Sequence, residues 1–418
     1  MRRRDRNGPR VLVVGGGFAG LSALNVLANA NVQVTLVDRN IYSTFQPLLY
    51  QVATAGLTSS DVAYPLWSVT RKTRALFRKG ELTALDLDKR VAQLADGAEL
   101  PYDYLIIATG VSANFYGVTG AKEHSLSLYT RRDAIALRNR LLREFERRAA
   151  GETGPELDIT MVGGGATGVE TAGTIAEVRN IALPASFPDV DRSKIRVRLI
   201  EMAPALLTPY KERERDYARQ QLVDRGVDVF LNTTIKEIGP DIVTLADGST
   251  HRSDLTVWTA GIEAPAAEWN AALPRAHAGR IDVGPDLRVT GQERVFAVGD
   301  VSVTGDKPLP QLAQPAIQQG RHAGRQIRRL LAGQPTEPFS YHDKGIMATI
   351  GRRSAVVELP SGIKLRGTLA WLAWLALHMI YLLGGRNRVV TLVNLSWRYL
   401  TWSRGGGLIV GDDVPDQD

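Results

Sequence analysis

Two glycine-rich turns, built to one plan, govern what this chain can fold into. In the first, the apolar run 11–14 leads into Gly15-Gly16-Gly17-Phe18-Ala19-Gly20, after which Leu21, Leu24 and Leu27 recur at helical spacing. In the second, residues 159–162 lead into Gly163-Gly164-Gly165-Ala166-Thr167-Gly168 and a helix opened by Val169, Ala172 and Ala176. Each helix precedes a β run that ends in an acid: residues 32–37 before Asp38, and 197–200 before Glu201. Asp38 follows Gly20 by 18 positions, near the interval of a ribose-binding acid. Glu201 follows Gly168 by 33, and the excess is read as an insertion around 182–193, marked by Pro184 and Pro188. A later β run closed by small residues also repeats, Leu105-Ile106-Ile107-Ala108-Thr109-Gly110 and then Leu255-Thr256-Val257-Trp258-Thr259-Ala260-Gly261. Gly15 lies 95 positions before Gly110, and Gly163 lies 98 before Gly261. The spacing predicts two dinucleotide-binding units of one design in an α/β chain.

A glycine turn at a helix N-terminus brings backbone N–H groups and the positive helix end up to a pyrophosphate with no side chains in the way. Asp38 and Glu201 can each accept two ribose hydroxyls, and Glu201 would repel a 2′-phosphate, which favours NADH over NADPH. A third β run, 294–300, ends at Gly299-Asp300, whose carboxylate suits the ribityl hydroxyls of FAD. Gln314-Pro315 then opens a helix with Ile317, Gly320, Ala323, Ile327 and Leu330 on one face. Proline is tolerated in that first turn because its missing N–H has no helical partner there.

Composition narrows the chemistry. Of 418 residues, 44% are apolar and 23% charged, the balance of a globular protein. There is no cysteine, which excludes disulfides, iron–sulfur clusters and thiol redox catalysis. The six histidines form no i, i+4 pair, so no metal site is expected. Excess positive charge is confined to the ends: five arginines against one aspartate in residues 1–10, and six Lys or Arg with no acid in 361–410. A nearly neutral body argues against nucleic-acid binding. Arg2-Arg3-Arg4 is read as a solvated tail rather than an export signal.

Residues 131–150 read as an amphipathic helix and 151–155 as a linker. The tail changes character near 361. Residues 369–383 are almost wholly apolar, too short for the roughly 20 residues that span a bilayer. Gly384-Gly385-Arg386-Asn387-Arg388 should break the run. A second helix is expected over 389–402, with Val389, Val393, Trp397 and Leu400 opposite Thr391, Asn394, Arg398 and Thr401. Trp371, Trp374, Trp397, Trp402 and the arginines favour a membrane–water boundary. His378 reads as a hydrogen-bonded core or headgroup-level residue.

At this point the sequence resembles the type II NADH dehydrogenases, single-subunit flavoproteins that pass electrons from NADH to membrane quinone. The resemblance rests on Phe45-Gln46-Pro47-Leu48-Leu49-Tyr50-Gln51-Val52-Ala53, on Val162 through Glu170, and on Ala313-Gln314-Pro315-Ala316-Ile317-Gln318-Gln319-Gly320. It continues in Tyr341-His342-Asp343-Lys344-Gly345 and Ile350-Gly351-Arg352. It implies two Rossmann-like domains of the two-dinucleotide-binding flavoprotein type, followed by membrane-surface amphipathic helices. FAD, held non-covalently, would take residues 1–120 and 275–340, NADH 121–274, and a membrane-anchoring or interface region 341–418.

By the same resemblance, Gly15, Gly17, Phe18, Ala19, Gly20, Asp38 and Arg39 would hold the ADP half of FAD. Gln46, Pro47, Leu48, Thr109, Gly110, Asp300, Ala313 and Gln314 would line the rest. Gly163, Gly165, Thr167, Gly168, Glu201, Ala260 and Gly261 would bind NADH, with Glu170 near the nicotinamide. Gln314 and Gln318, with Lys344 close by, would serve the flavin and the quinone, menaquinone or ubiquinone. The helix end at Gln314 would stabilise the reduced, anionic ring. The expected protein sits peripherally on the cytoplasmic side of the cell membrane and pumps no protons. A homodimer could present both tail hairpins to one membrane face. Two other readings share the nucleotide sites: a soluble flavin reductase with a protein acceptor, and a non-enzymatic flavoprotein that senses NADH. A sulfide:quinone oxidoreductase would need the missing cysteines.

Overall fold

Each glycine turn leaves the middle strand of a five-stranded parallel sheet. A computed structural model describes residues 8–264, 269, 273–305 and 308–401, the side chains of 398–401 excepted. In the first sheet the order is Val295–Ala297, Tyr104–Ile107, Arg10–Val14, Gln33–Asp38, Leu76–Lys79. In the second it is Leu126–Ser127, Leu255–Trp258, Leu157–Val162, Ile195–Ile200, Val227–Phe230. The glycine-turn strand therefore lies between the strand that ends in small residues and the strand that ends in the acid, twice over. Parallel strands buried on both faces must be apolar. Val11, Leu12, Val13 and Val14 are accordingly buried, as are Leu157, Ile159, Met161 and Val162. Asp158, inside the second sheet, is buried against the Arg198 guanidinium at 2.8 Å. Each unit also carries a three-stranded antiparallel sheet, Leu82–Asp86 with Val91–Leu94 and Glu99–Pro101, and Ile235–Ile238 with Ile242–Leu245 and Thr250–Arg252.

The chain divides into two compact units: Met1–Ser43, Tyr64–Ser112 and Ile262–Asp343 in one, Thr44–Ala63, Ala113–Gly261 and Lys344–Asp418 in the other. This differs from the segmentation expected from sequence. Residues 44–63 and the C-terminal segment belong with the second glycine turn. Side-chain bonds run within that unit: Arg131 Nε donates to the Ser59 carbonyl at 3.0 Å, and Asn387 Nδ2 to that of Ala63 at 2.9 Å.

In the first unit, the helix Ala313–Leu331 starts one residue earlier than expected and packs on Phe18–Leu27. Gly320 makes this approach possible, since a Cβ there would overlap the Ala19 carbonyl. In the second unit, the insertion after Glu177 is largely helical: a π turn Val178–Ala182, then Leu183–Ser186 and Arg192–Lys194. Buried Arg179 holds it by donating to the carbonyls of Ile195 at 3.2 Å and Gly226 at 3.0 Å.

The tail forms two helices, Gly367–Tyr381 and Gly385–Thr401. The expected break over 384–388 is too long. Gly385 through Arg388 already belong to the second helix, and the turn is made by Leu382, Leu383 and left-handed Gly384. Trp402 lies outside the described residues, as do the side chains of Arg398, Leu400 and Thr401. Among the described residues no helix is long and apolar enough to cross a membrane.

Candidate functional site

The two turns share one backbone geometry. Gly15 and Gly163 have φ of 107° and 106°, a region closed to ordinary side chains. A Cβ on Gly20 would overlap the Gly15 carbonyl, and one on Gly168 that of Gly163. Gly17 and Gly165, by contrast, cap their helices in extended backbone with no side-chain hydrogen bond, and a Cβ on either would meet nothing within 4 Å. The helix N-termini Phe18–Leu27 and Ala166–Glu177 thus each present uncapped N–H groups beside open space, the arrangement that takes a phosphate. Phe18 is half-buried, Ala19 is packed under Gly320, and Thr167 is exposed on the first helical turn.

Both strand-end acids do a job the sequence did not announce. Asp38 accepts from Gly16 N and Asn40 N, each at 2.7 Å. Glu201 accepts from Gly164 N, and from Ala203 N at 2.7 Å. Each carboxylate therefore ties its own glycine turn down before any ligand arrives, and its remaining lone pairs can still take ribose hydroxyls. Burial pushes the Asp38 carboxyl up, against the hydrogen bonds of Asn40 and Gly16 and the charge of exposed Arg39.

Among the described residues, the buried polar atoms of the first unit without a hydrogen-bond partner include Thr109 Oγ1 and Gln314 Oε1. An orphaned buried acceptor costs about 1–3 kcal/mol unless something satisfies it. Thr109 follows the strand Tyr104–Ile107, Gly110 beside it is left-handed with φ of 72°, and Gln314 follows Ala313 in the first helical turn. The Gly299–Val301 turn, which carries Asp300, is held by a residue that sequence reasoning missed. Buried Gln319 accepts from Gly299 N at 2.7 Å. Replacing Gln319 by leucine strands that N–H. We expect about 1–3 kcal/mol of lost stability, read as a lower Tm, with Gln319→Glu retaining most of it.

In the second unit Glu170 is buried, and among the described residues its carboxyl accepts from Thr349 N, at 3.2 Å. Thr349 Oγ1 lies 3.2 Å from the Tyr50 hydroxyl. Tyr50 meets Trp374 edge-on, and Trp374 stacks on His378 at 3.9 Å. His378, half-buried, bonds the Trp374 carbonyl through Nδ1 at 2.7 Å, and desolvation lowers its pKa to about 4.

Burial pushes the Glu170 carboxyl up from 4.5 to about 8. Folded, the group keeps its proton up to that value; unfolded, it releases it near 4.5. Across this window the folded chain binds more protons, so its stability falls as pH rises, by at most about 1.4 kcal/mol per pH unit. Glu170→Gln removes the titration. Its Tm should decline less than the parent's between about pH 5 and 8; parallel Tm–pH curves would contradict this.

Gln318 spends both ends of its amide on His342, donating to its carbonyl at 2.8 Å and accepting from its N–H at 3.0 Å. Lys344 Nζ lies 3.4 Å from the Tyr381 hydroxyl, on the tail helix. Gln46-Pro47-Leu48 forms a short 3₁₀ turn, with Leu48 fully buried, in the unit of the second turn rather than the first. Ala260 packs against Gly163, and Gly261 against the Tyr116 ring. Among the described residues no cluster of three His, Asp or Glu could hold a metal.

A twinned scaffold of this kind defines a pyridine nucleotide-disulphide oxidoreductase, and the sequence profile of that family matches residues 9–320. The type II NADH:quinone oxidoreductase Ndh of Mycobacterium tuberculosis is 36% identical over 95% of this chain and 89% of its own length. The type II NADH:quinone oxidoreductase of Staphylococcus aureus is 30% identical over 83% of this chain and 89% of its own. This chain belongs to the type II NADH:quinone oxidoreductase family. The fold agrees with the structure of NDH2 from Plasmodium falciparum in complex with NADH, at a TM-score of 0.89 and 18% identity, over 97% of this chain and 100% of that one.

Proposed function

We propose that this protein oxidises NADH and reduces a membrane quinone to quinol, with FAD on the first glycine turn and NADH on the second, and without proton pumping. The observation that carries the reading is the pair of congruent turns, each with an open, uncapped helix end, in a chain of this family. FAD, when bound, supplies the redox chemistry: it accepts a hydride and passes two electrons on.

The chain's own residues bind and orient. The N–H groups beyond Gly17 and Gly165 take the pyrophosphates. Asp38 and Glu201 take the adenosine riboses, and the charge of Glu201 selects NADH over NADPH. Thr109, Gln314 and Asp300 offer FAD the polar contacts that the protein leaves open or held ready. Glu170 would lie near the nicotinamide and hold a proton at neutral pH. Gln318 acts indirectly, by fixing the backbone at His342 beside Lys344, the residue we assign to the quinone end.

The tail supports attachment to the cytoplasmic face of the membrane. Leu369, Leu372, Leu377 and Ile380 of the first tail helix are exposed, as are Val389, Leu392, Val393 and Trp397 of the second. A second copy of the chain could share this face as a homodimer.

The test is an anaerobic titration of the purified protein. Bleaching of a bound flavin by NADH and not by NADPH, then recovery with a short-chain quinone, is the expected result. A colourless protein that takes up no FAD overturns the reading, and bleaching without recovery overturns its quinone half.

A further inference from the structure

We propose that Arg280 is a positioning residue for FAD, whose buried guanidinium places a positive charge beside the Gly299–Val301 turn and helps hold Asp300 in place for the cofactor. The inference rests on the assignment of FAD to the first unit and adds a residue to that site.

Arg280 is 5% exposed, and among the described residues its Nε–H has no hydrogen-bond partner. Desolvating a guanidinium costs several kcal/mol unless an opposite charge or hydrogen bonds compensate. An arginine that served only to fill space would be at a disadvantage against leucine or methionine.

Arg280 follows a tight turn that precedes a strand. The turn His277–Gly279 holds Ala278 at φ 55°, a left-handed conformation that a residue with a Cβ adopts at a cost, followed by Gly279 at φ 68°. The turn closes through Ala276 N to Arg280 O at 2.8 Å. Directly after it, Ile281–Asp282 runs parallel to Ser302–Val303, with Ile281 opposite Ser302. Arg280 is therefore level with Val301, next to Asp300.

The electrostatics agree with this placement. Burial lowers the Arg280 pKa, and the charge that pulls it back up is that of Asp300. The rest of the turn is fixed from two further directions, by Gln319 on Gly299 N and by Gln311 Nε2 on the Asp300 carbonyl at 3.2 Å. Backbone and charge are thus both set, and the spare N–H of Arg280 remains for an oxygen-rich ligand.

The experiment follows release of FAD from diluted holoenzyme by the rise in free-flavin fluorescence. Arg280→Met should release FAD about tenfold faster, and Arg280→Lys should stay within about threefold of the parent. Asp300→Asn should resemble Arg280→Met, and the double variant should be no faster than Asp300→Asn alone, since the two residues act as one device. Should Arg280→Met not fold, Arg280→Gln is read in its place. Release at the parent's rate from the methionine or glutamine variant overturns the proposal, and so do effects that multiply in the double variant. If the parent itself retains no flavin, the FAD assignment fails with it. If Asp300→Asn leaks flavin and Arg280→Met does not, only the role of Arg280 is lost.

Discussion

Gly17→Val should yield a folded, colourless protein, and Gly165→Val a yellow one that NADH no longer bleaches. Both positions have ordinary backbone angles, φ −83° at Gly17 and φ −69° at Gly165, and a Cβ at either would meet no atom within 4 Å. Valine is therefore tolerated by the apoprotein at a cost within about 1 kcal/mol, the helix-cap difference between glycine and an aliphatic residue. Bound dinucleotide changes the situation. Its pyrophosphate must approach the N–H groups that these glycines leave bare, and the valine methyls would occupy that approach. Losing two or three charge-assisted hydrogen bonds, at about 1.5–3 kcal/mol each, weakens binding by at least about 100-fold. The measurements are flavin content for the first variant and the NADH concentration needed for half-bleaching in the second. A Gly17→Val protein that keeps its flavin, or a Gly165→Val protein bleached at the parent's NADH concentration, would put the pyrophosphates elsewhere. Gly20 and Gly168 are poorer probes, because a Cβ there strikes the turn itself.

Much of this was legible because parallel βαβ units leave a strong local trace. The turn glycines, the acid at the end of the next strand and the apolar strands all follow from short-range rules, and each appears twice. What escaped depends on long-range packing. Gln319 stands one position from Gln318 in the same motif, yet it is Gln319 that turns inward to the Gly299 N–H, while Gln318 faces His342. Helical phase separates the two, and no composition rule does. Arg280 gave no signal either, since a single arginine after a glycine reads as surface. The clasp between Glu170 and Thr349 joins residues 179 positions apart, which no periodicity reports. The tail tryptophans divide in a way the sequence does not report: Trp374 is 2% exposed and belongs to the core, whereas Trp397 is 63% exposed.

The tail helix Gly385–Thr401 is amphipathic in the opposite sense to a core helix, and that inversion leads to the second large expected effect. Its polar residues face the protein. Thr391 is fully buried, Asn387 donates to the Ala63 carbonyl, and Asn394 donates to Asp61 Oδ2 at 3.2 Å. Leu395 is buried beside them, but the outer face is apolar, with Val389 63% and Val393 58% exposed one turn apart, and Arg386 and Arg388 near the helix start. A soluble protein that stood alone would gain by the reverse arrangement; a surface that meets acyl chains and anionic headgroups gains by this one. Val389→Glu with Val393→Glu leaves the inward bonds untouched. Each change forfeits about 1 kcal/mol of apolar transfer and adds a carboxylate repelled by anionic lipid at about 1 kcal/mol. Partition onto anionic phospholipid vesicles should fall about 100-fold or more, while reduction of a water-soluble quinone analogue by NADH stays at the parent's rate. Deleting residues 361–418 is a blunter test, since it also removes buried Ala370 and Trp374 from the core of the second unit. Unchanged vesicle sedimentation of the double variant would remove the membrane from the account of this face, and conversion of a dimer to monomers at unchanged sedimentation would assign it to a second copy of the chain.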